Sequence, residues 1–253
     1  MKVKLPSNGL FGSKTIDLRE PTFEDIRKSW SLNQEEPLFK IQFVQQLANI
    51  DLSKVTKQDI EYLFTIAAFS IQFNTVLFST KCTCGNVINN TFSLPECDVV
   101  DIKPYKLPYK TKVDGVDCSF TVLSAQQDLD ACEYALSEED FNSSYEDALA
   151  TLGLCKSLSD VELVRNLPSS VYLASFLFQQ ANFHGVDLVK EVVCPHCGAT
   201  LRCKVSVDSS YVKMKIETLM DIYASLSKII SFETFAKFTV PEYTAYIKAL
   251  NKK

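Results

Sequence analysis

Two short cysteine–glycine stretches constrain this chain more than any other feature. They are Cys82-Thr83-Cys84-Gly85 and Cys194-Pro195-His196-Cys197-Gly198. Glu191-Val192-Val193 and Thr200 to Val207 flank the second, in a β-branched, alternating pattern that reads as two strands. Val76-Leu77-Phe78 and Val87-Ile88 place the first in the same setting. A cysteine pair followed by glycine at the tip of a hairpin is a metal knuckle. The glycine relieves the tight turn, and backbone N–H groups can point at the sulfurs. A thioredoxin-like redox site would instead need Cys194 to open a helix, and the strand flanks weigh against that.

Structural zinc takes four ligands in a closed tetrahedral shell. Each hairpin supplies two thiolates, so Cys82, Cys84, Cys194 and Cys197 are the expected ligands of one structural Zn2+ per chain. The first pair is one residue shorter than the usual CxxC, which tightens its chelate loop. Cys97 and Cys203 each follow their knuckle closely and are the competing ligands. Their alternating positions read better as core thiols, and Cys118, Cys132 and Cys155 are expected to be core filler. His196 is expected to face solvent within its knuckle loop, and His184 to be a turn residue and not a ligand.

Between Cys84 and Cys194 lie 109 residues, so only a fold that joins remote segments can close such a site. Structural zinc contributes ~10–16 kcal/mol in small peptides, against ~5–15 kcal/mol for the stability of a whole domain. Losing it should therefore unfold or separate the joined segments.

The chain supplies a reason for those segments to meet, because its features recur in order. Lys4-Leu5-Pro6 matches Lys106-Leu107-Pro108. The strand-like Lys14 to Leu18 and its helix cap at Thr22, with Asp25 three residues on, match Asp117 to Leu123 and a cap at Ser124. Val113-Asp114-Gly115-Val116 is a hairpin signal. Asp51-Leu52-Ser53-Lys54-Val55, the cap Thr56 and the apolar helix Ile60 to Phe73 match Ser157 to Val161, Pro168-Ser169-Ser170 and the apolar helix Val171 to Phe183. Each apolar helix leads through a β-branched stretch to a knuckle.

The expected fold is therefore α+β and helix-rich, an internally duplicated unit of strand hairpin, helices and knuckle hairpin. The copies span 1–103 and 104–208, and a helical tail spans 209–253. In the tail, Tyr211 to Ile230 has amphipathic spacing. A short helix near Phe232 to Phe238 and a last one starting at Pro241 follow, ending in Lys248, Lys252 and Lys253.

Composition limits the function. With 253 residues, 46% hydrophobic and 23% charged, the chain is a globular protein with a sizeable core. A net charge of −5 argues against general nucleic-acid binding, which needs a basic face. The longest apolar runs, Tyr62 to Phe73 and Val171 to Phe178, fall short of the ~20 residues of a membrane span and read as buried helices. The first residues have no apolar signal region, so nine cysteines are expected to stay reduced in a cytosol. There is no Walker A, GxGxxG, HExxH or nucleophile-elbow motif, and only two histidines. A zinc closed by four thiolates leaves no position for water. An enzyme is not expected.

The motifs together resemble the baseplate hub assembly proteins of contractile-tailed, T-even-type bacteriophages. The likeness lies in Leu5-Pro6-Ser7-Asn8-Gly9, in Asp51 to Asp59 with Thr56, in Tyr62-Leu63 and in Cys82-Thr83-Cys84-Gly85. It continues in the helical C-terminus, at Leu219 to Tyr223 and Val240 to Tyr243. The family's knuckle is CxxCG, from which Cys82-Thr83-Cys84 departs. The resemblance implies an assembly factor in the infected host cytoplasm, chaperone-like toward hub or tape-measure proteins. A zinc-ribbon nucleic-acid module and a structural baseplate subunit are the alternatives. Phe232, Phe235, Phe238, Tyr243 and Tyr246 are the residues that could dock a partner helix, with packing on the protein's own core the stronger expectation.

Overall fold

The computed structural model describes residues 1–72, 75–103, 106–214 and 216–250. Phe73, where the first apolar helix was expected to end, lies outside the described residues, as do position 104 and the basic Lys252 and Lys253.

The first stretch begins with β1 (Lys2–Lys4) and β2 (Thr15–Asp17), paired antiparallel. Next comes α1 (Phe23–Ser29), whose start is fixed by a reciprocal cap. The Thr22 hydroxyl accepts from the Asp25 backbone and the Asp25 carboxylate from the Thr22 N–H. Helix α2 (Glu36–Leu47), a 3-10 turn at Leu52–Lys54 and α3 (Lys57–Ile71) follow. The same cap recurs at α3, between Thr56 and Asp59. Then β3 (Thr75–Lys81) and β4 (Val87–Ser93) form a hairpin, followed by β5 (Asp98–Val100).

The second stretch opens with the hairpin β6 (Tyr109–Val113) and β7 (Val116–Phe120). Asp114 and Gly115, at φ 47° and 82°, make the turn expected from the sequence. Ser124 caps α4 (Ala125–Leu136), and Asp140 caps α5 (Phe141–Gly153). A 3-10 turn at Leu158–Asp160, α6 (Val161–Arg165) and α7 (Ser169–Ala181) come next. Strand β8 (Gly185–Asp187) pairs with β5, and β9 (Val189–Val193) pairs with β10 (Thr200–Lys204). The chain ends in α8 (Ile216–Leu226), α9 (Phe232–Ala236) and α10 (Val240–Leu250). The fold is helix-rich α+β, with its strands in small antiparallel pairs.

Helix α3 is the axis of the main core. Leu63, Phe64, Ala68 and Phe69 are fully enclosed, and Phe64 meets Phe39 and Phe43 of α2 edge-on at about 6 Å. The same core takes in Ala125, Val205, Val207, Leu219, Leu226 and Phe235, so all three expected segments contribute to it. The C-terminal helices are sewn to α1: Phe23 stacks on Phe235 at 4.5 Å, and the Phe23 N–H donates to the Phe238 carbonyl. Phe235 is fully buried and Phe238 packs on Tyr246, so these aromatics serve the protein's own core. Smaller clusters lie between α4 and α5 and beneath β6–β7.

Helix α7 departs from expectation. Only Val171 and Ser175 are buried along it, while Leu173, Phe176 and Leu177 are 58%, 58% and 55% exposed. The reading of Val171 to Phe178 as a buried helix is therefore corrected. Helix α3 is covered on several sides by α2, α4 and α10, whereas α7 rests mainly on α5 and the β6–β7 hairpin. An apolar helix is enclosed only where neighbours exist to enclose it.

Candidate metal centre

Each cysteine pair sits in the turn of its hairpin, and both turns are built alike. The Cys82 N–H donates to the Asn86 carbonyl at 2.8 Å and the Gly85 N–H to the Cys82 carbonyl at 2.9 Å. In the second turn Cys194 N–H donates to the Ala199 carbonyl at 2.8 Å, and Gly198 N–H to the Cys194 carbonyl at 2.9 Å. Gly85 and Gly198 take φ of 89° and 75°, a conformation that disfavours any side chain. Cys194 lies between two strands and opens no helix, which removes the structural basis of the thioredoxin-like alternative.

Packing brings the two turns together. Ile88 from one hairpin and Val192 and Cys203 from the other form a small core around Cys82 and Cys194. The Sγ atoms of Cys82, Cys84, Cys194 and Cys197 then lie within 4.8 Å of one another. Cys82 Sγ is 3.6 Å from Cys197 Sγ, and Cys84 Sγ is 3.7 Å from Cys194 Sγ. These separations exceed the ~2.05 Å of a disulfide. They match the ~3.8 Å edge of a sulfur tetrahedron whose centre lies ~2.3 Å from each corner. The four expected ligands are thus together, and the cluster can hold a metal ion.

In each pair the first sulfur is sheltered and the second faces solvent. Cys82 and Cys194 are 2% and 1% exposed, while Cys84 and Cys197 are exposed. The Cys197 backbone N–H, directed at the Cys194 sulfur, holds that thiol down at about 6 against the opposing effect of burial. The Cys84 N–H likewise lowers the Cys82 thiol. At Cys84 the Asn86 N–H pulls downward, but desolvation and the three neighbouring sulfurs push it up to about 12. Four thiols this close cannot all ionise on their own, and a cation at the centre removes that conflict.

Asn86 adds a contact the sequence did not flag. Its Nδ2 donates to Cys194 Sγ at 3.8 Å, so the first hairpin supports a sulfur of the second. Position two after the second cysteine was its only signal. The competing ligands stay outside the cluster. Cys97 donates to the Ser93 carbonyl, and Cys203 packs in the small core. Cys118 and Cys132 are buried as expected. Cys155 is not: it is exposed, at φ 56°, just past the end of α5, so its reading as core filler is corrected. The chain must turn left-handed there to leave the helix, which carries the thiol outward.

His196 is exposed, as expected. His184 precedes β8 but is fully buried, with Nε2 2.7 Å from Thr56 Oγ1 and Nδ1 2.9 Å from the Asn182 carbonyl. A second, largely buried network joins Lys57, Asp128 and Tyr145 and ties α3, α4 and α5 together.

No family model matches the chain, and neither a curated protein nor a solved structure is similar to it. No described helix is long and apolar enough to cross a membrane.

Proposed function

We propose that this chain is a non-enzymatic assembly factor whose fold is stapled by one structural zinc ion on Cys82, Cys84, Cys194 and Cys197. The observation that carries the reading is the convergence of four sulfurs within 4.8 Å of one another, drawn from two hairpins far apart in sequence. Thiolates select zinc among the common divalent ions of a cell. A shell of four sulfurs leaves no coordination site for water or substrate, so the ion organises structure and does no chemistry.

The element order supports an internal duplication as part of this reading. Hairpin β1–β2, helices α1 and α2, a 3-10 turn, α3 and hairpin β3–β4 make one series. Hairpin β6–β7, helices α4 and α5, a 3-10 turn, α7 and hairpin β9–β10 make the other, with α6 inserted before α7 and β8 before the hairpin. On this view the zinc ion bridges equivalent turns of the two copies.

The sequence resemblance to baseplate hub assembly proteins supplies the biological setting: a helper in the infected host cytoplasm, acting on hub or tape-measure components. The exposed apolar stripe Leu173, Phe176 and Leu177 suits a protein that works by contact with other proteins.

Two measurements test this. Elemental analysis of the purified protein should give one zinc per chain, reduced in Cys82→Ser and in Cys197→Ser. Affinity purification from infected cells should recover hub or tape-measure proteins with the tagged chain. A metal-free, fully folded protein would overturn the first half. Tight binding of DNA or RNA at physiological salt, with no phage protein recovered, would overturn the second.

A further inference from the structure

We infer that the groove between β3 and β10 is a strand-addition site for an extended, acidic peptide segment. The groove has a volume of about 870 Å³ and is walled by residues 77–80 of β3, Asn89 and Asn90 of β4, residues 202–206 at β10, and Tyr211.

Both strands are edges, each paired on one side only. On β10, the Ala199 carbonyl accepts from Cys194 and the Val205 N–H donates to the Leu188 carbonyl. Bonding alternates along an antiparallel ladder, so Leu201 and Cys203 face β9. Arg202 and Lys204 then turn their N–H and C=O groups away from β9. On β3, the bond from Cys82 to Asn86 sets the opposite edge by the same alternation: Leu77 and Ser79 point away from β4. The Tyr211 hydroxyl confirms this by donating to the Leu77 carbonyl at 3.3 Å. That contact occupies part of the β3 edge, which leaves β10 as the edge to extend.

Charge and shape name the occupant. Arg202 and Lys204 stand on the wall, and no carboxylate lines the groove. Glu191 lies opposite Arg202 in the β9–β10 register, yet no ion pair forms, and among the described residues neither cation has an ion-pair partner. Leu77, 74% exposed, offers an apolar surface on the opposite wall. An alternating acidic–apolar strand of about five residues satisfies the free backbone groups, pairs both cations and covers Leu77.

This names a partner class for the assembly role proposed above, but its test is read on the isolated protein. A labelled, end-capped peptide of four Glu-Val repeats is titrated into the metal-replete protein, and fluorescence anisotropy is recorded. The controls are a Lys-Val peptide and the Glu-Val peptide N-methylated at alternate residues. Expected is binding of the acidic peptide, at least tenfold weaker for either control, and a reversed preference in Arg202→Glu/Lys204→Glu. Equal binding of acidic and basic peptides, or indifference to N-methylation, would overturn the proposal, as would no binding at millimolar peptide. Zinc content of the double variant is measured alongside. An unchanged value shows that the staple and the groove have been tested separately.

Discussion

The side chains of Thr56 and His184 meet at 2.7 Å, joining the cap of α3 to the turn that precedes β8. The geometry fixes the tautomer. The Asn182 carbonyl can only accept, so His184 Nδ1 carries the proton and Nε2 accepts from the Thr56 hydroxyl. The same hydroxyl oxygen accepts from the Asp59 N–H, so a protonated imidazole could donate Nε2–H to its second lone pair only after the hydroxyl proton turned away.

Burial holds the His184 pKa below the usual imidazole value, against the Asn182 carbonyl and the Asp59 charge. The unfolded chain therefore binds the proton more readily than the folded one. Stability is full above the unfolded value of about 6.5 and falls as pH drops below it. Denaturant melts from pH 8 to 5 should show this loss. His184→Ala should cost about 1–3 kcal/mol and flatten the dependence. An equally steep profile in the variant would assign the effect to another group.

Metal release should be readable through thiol chemistry. Cys84, Cys155 and Cys197 are the exposed cysteines, and two of them belong to the cluster. With the ion bound, Cys155 should be the only exposed thiol open to a disulfide reagent, and its burial-raised pKa keeps it slow. A strong chelator should open Cys84 and Cys197 to labelling as well, Cys84 slowly because its thiol is pushed up to about 12. Labelling of all three before chelation would contradict a metal-closed site.

Cys155 also offers a stabilising substitution. A side chain at φ 56° costs about 1–2 kcal/mol relative to glycine. Its exposure means that little packing is lost on truncation. Cys155→Gly should raise the melting temperature by a few degrees, and an unchanged or lower value would mean that the thiol packs better than its exposure suggests.

On α7, replacing Leu173 and Phe176 with glutamate should leave the melting temperature within a few degrees of the parent, since both are more than half exposed. Binding of a hydrophobic dye should fall. By contrast, Phe235→Ala removes a fully buried ring stacked on Phe23 and should cost about 3–5 kcal/mol.

What could be read from the sequence was mostly local. Thr22 with Asp25, and Thr56, announced their helices because such caps are satisfied within three residues. The Asp114-Gly115 turn was equally plain. The thiol cluster was legible for a different reason: two cysteine pairs sat in hairpin turns, while the competing Cys97 and Cys203 sat at alternating positions that read as core. What failed was anything decided by the number of neighbours. Helix α7 has no charged residue and α3 has three, so composition alone would bury α7 the more deeply; the difference lies in the elements packed around each. His184 escaped for the same reason, its polar partners Thr56 and Gln58 being well over a hundred residues away.

The 110-residue offset between Cys84 and Cys194 also has a consequence in time. A ribosome adding 5–20 residues per second takes about 5 to 20 s to cover that distance. Throughout that interval the earlier thiols exist while their partners are still unmade. The clasp is therefore a late event of biosynthesis, and a cell short of the proposed metal would accumulate chains that are fully translated but never fastened.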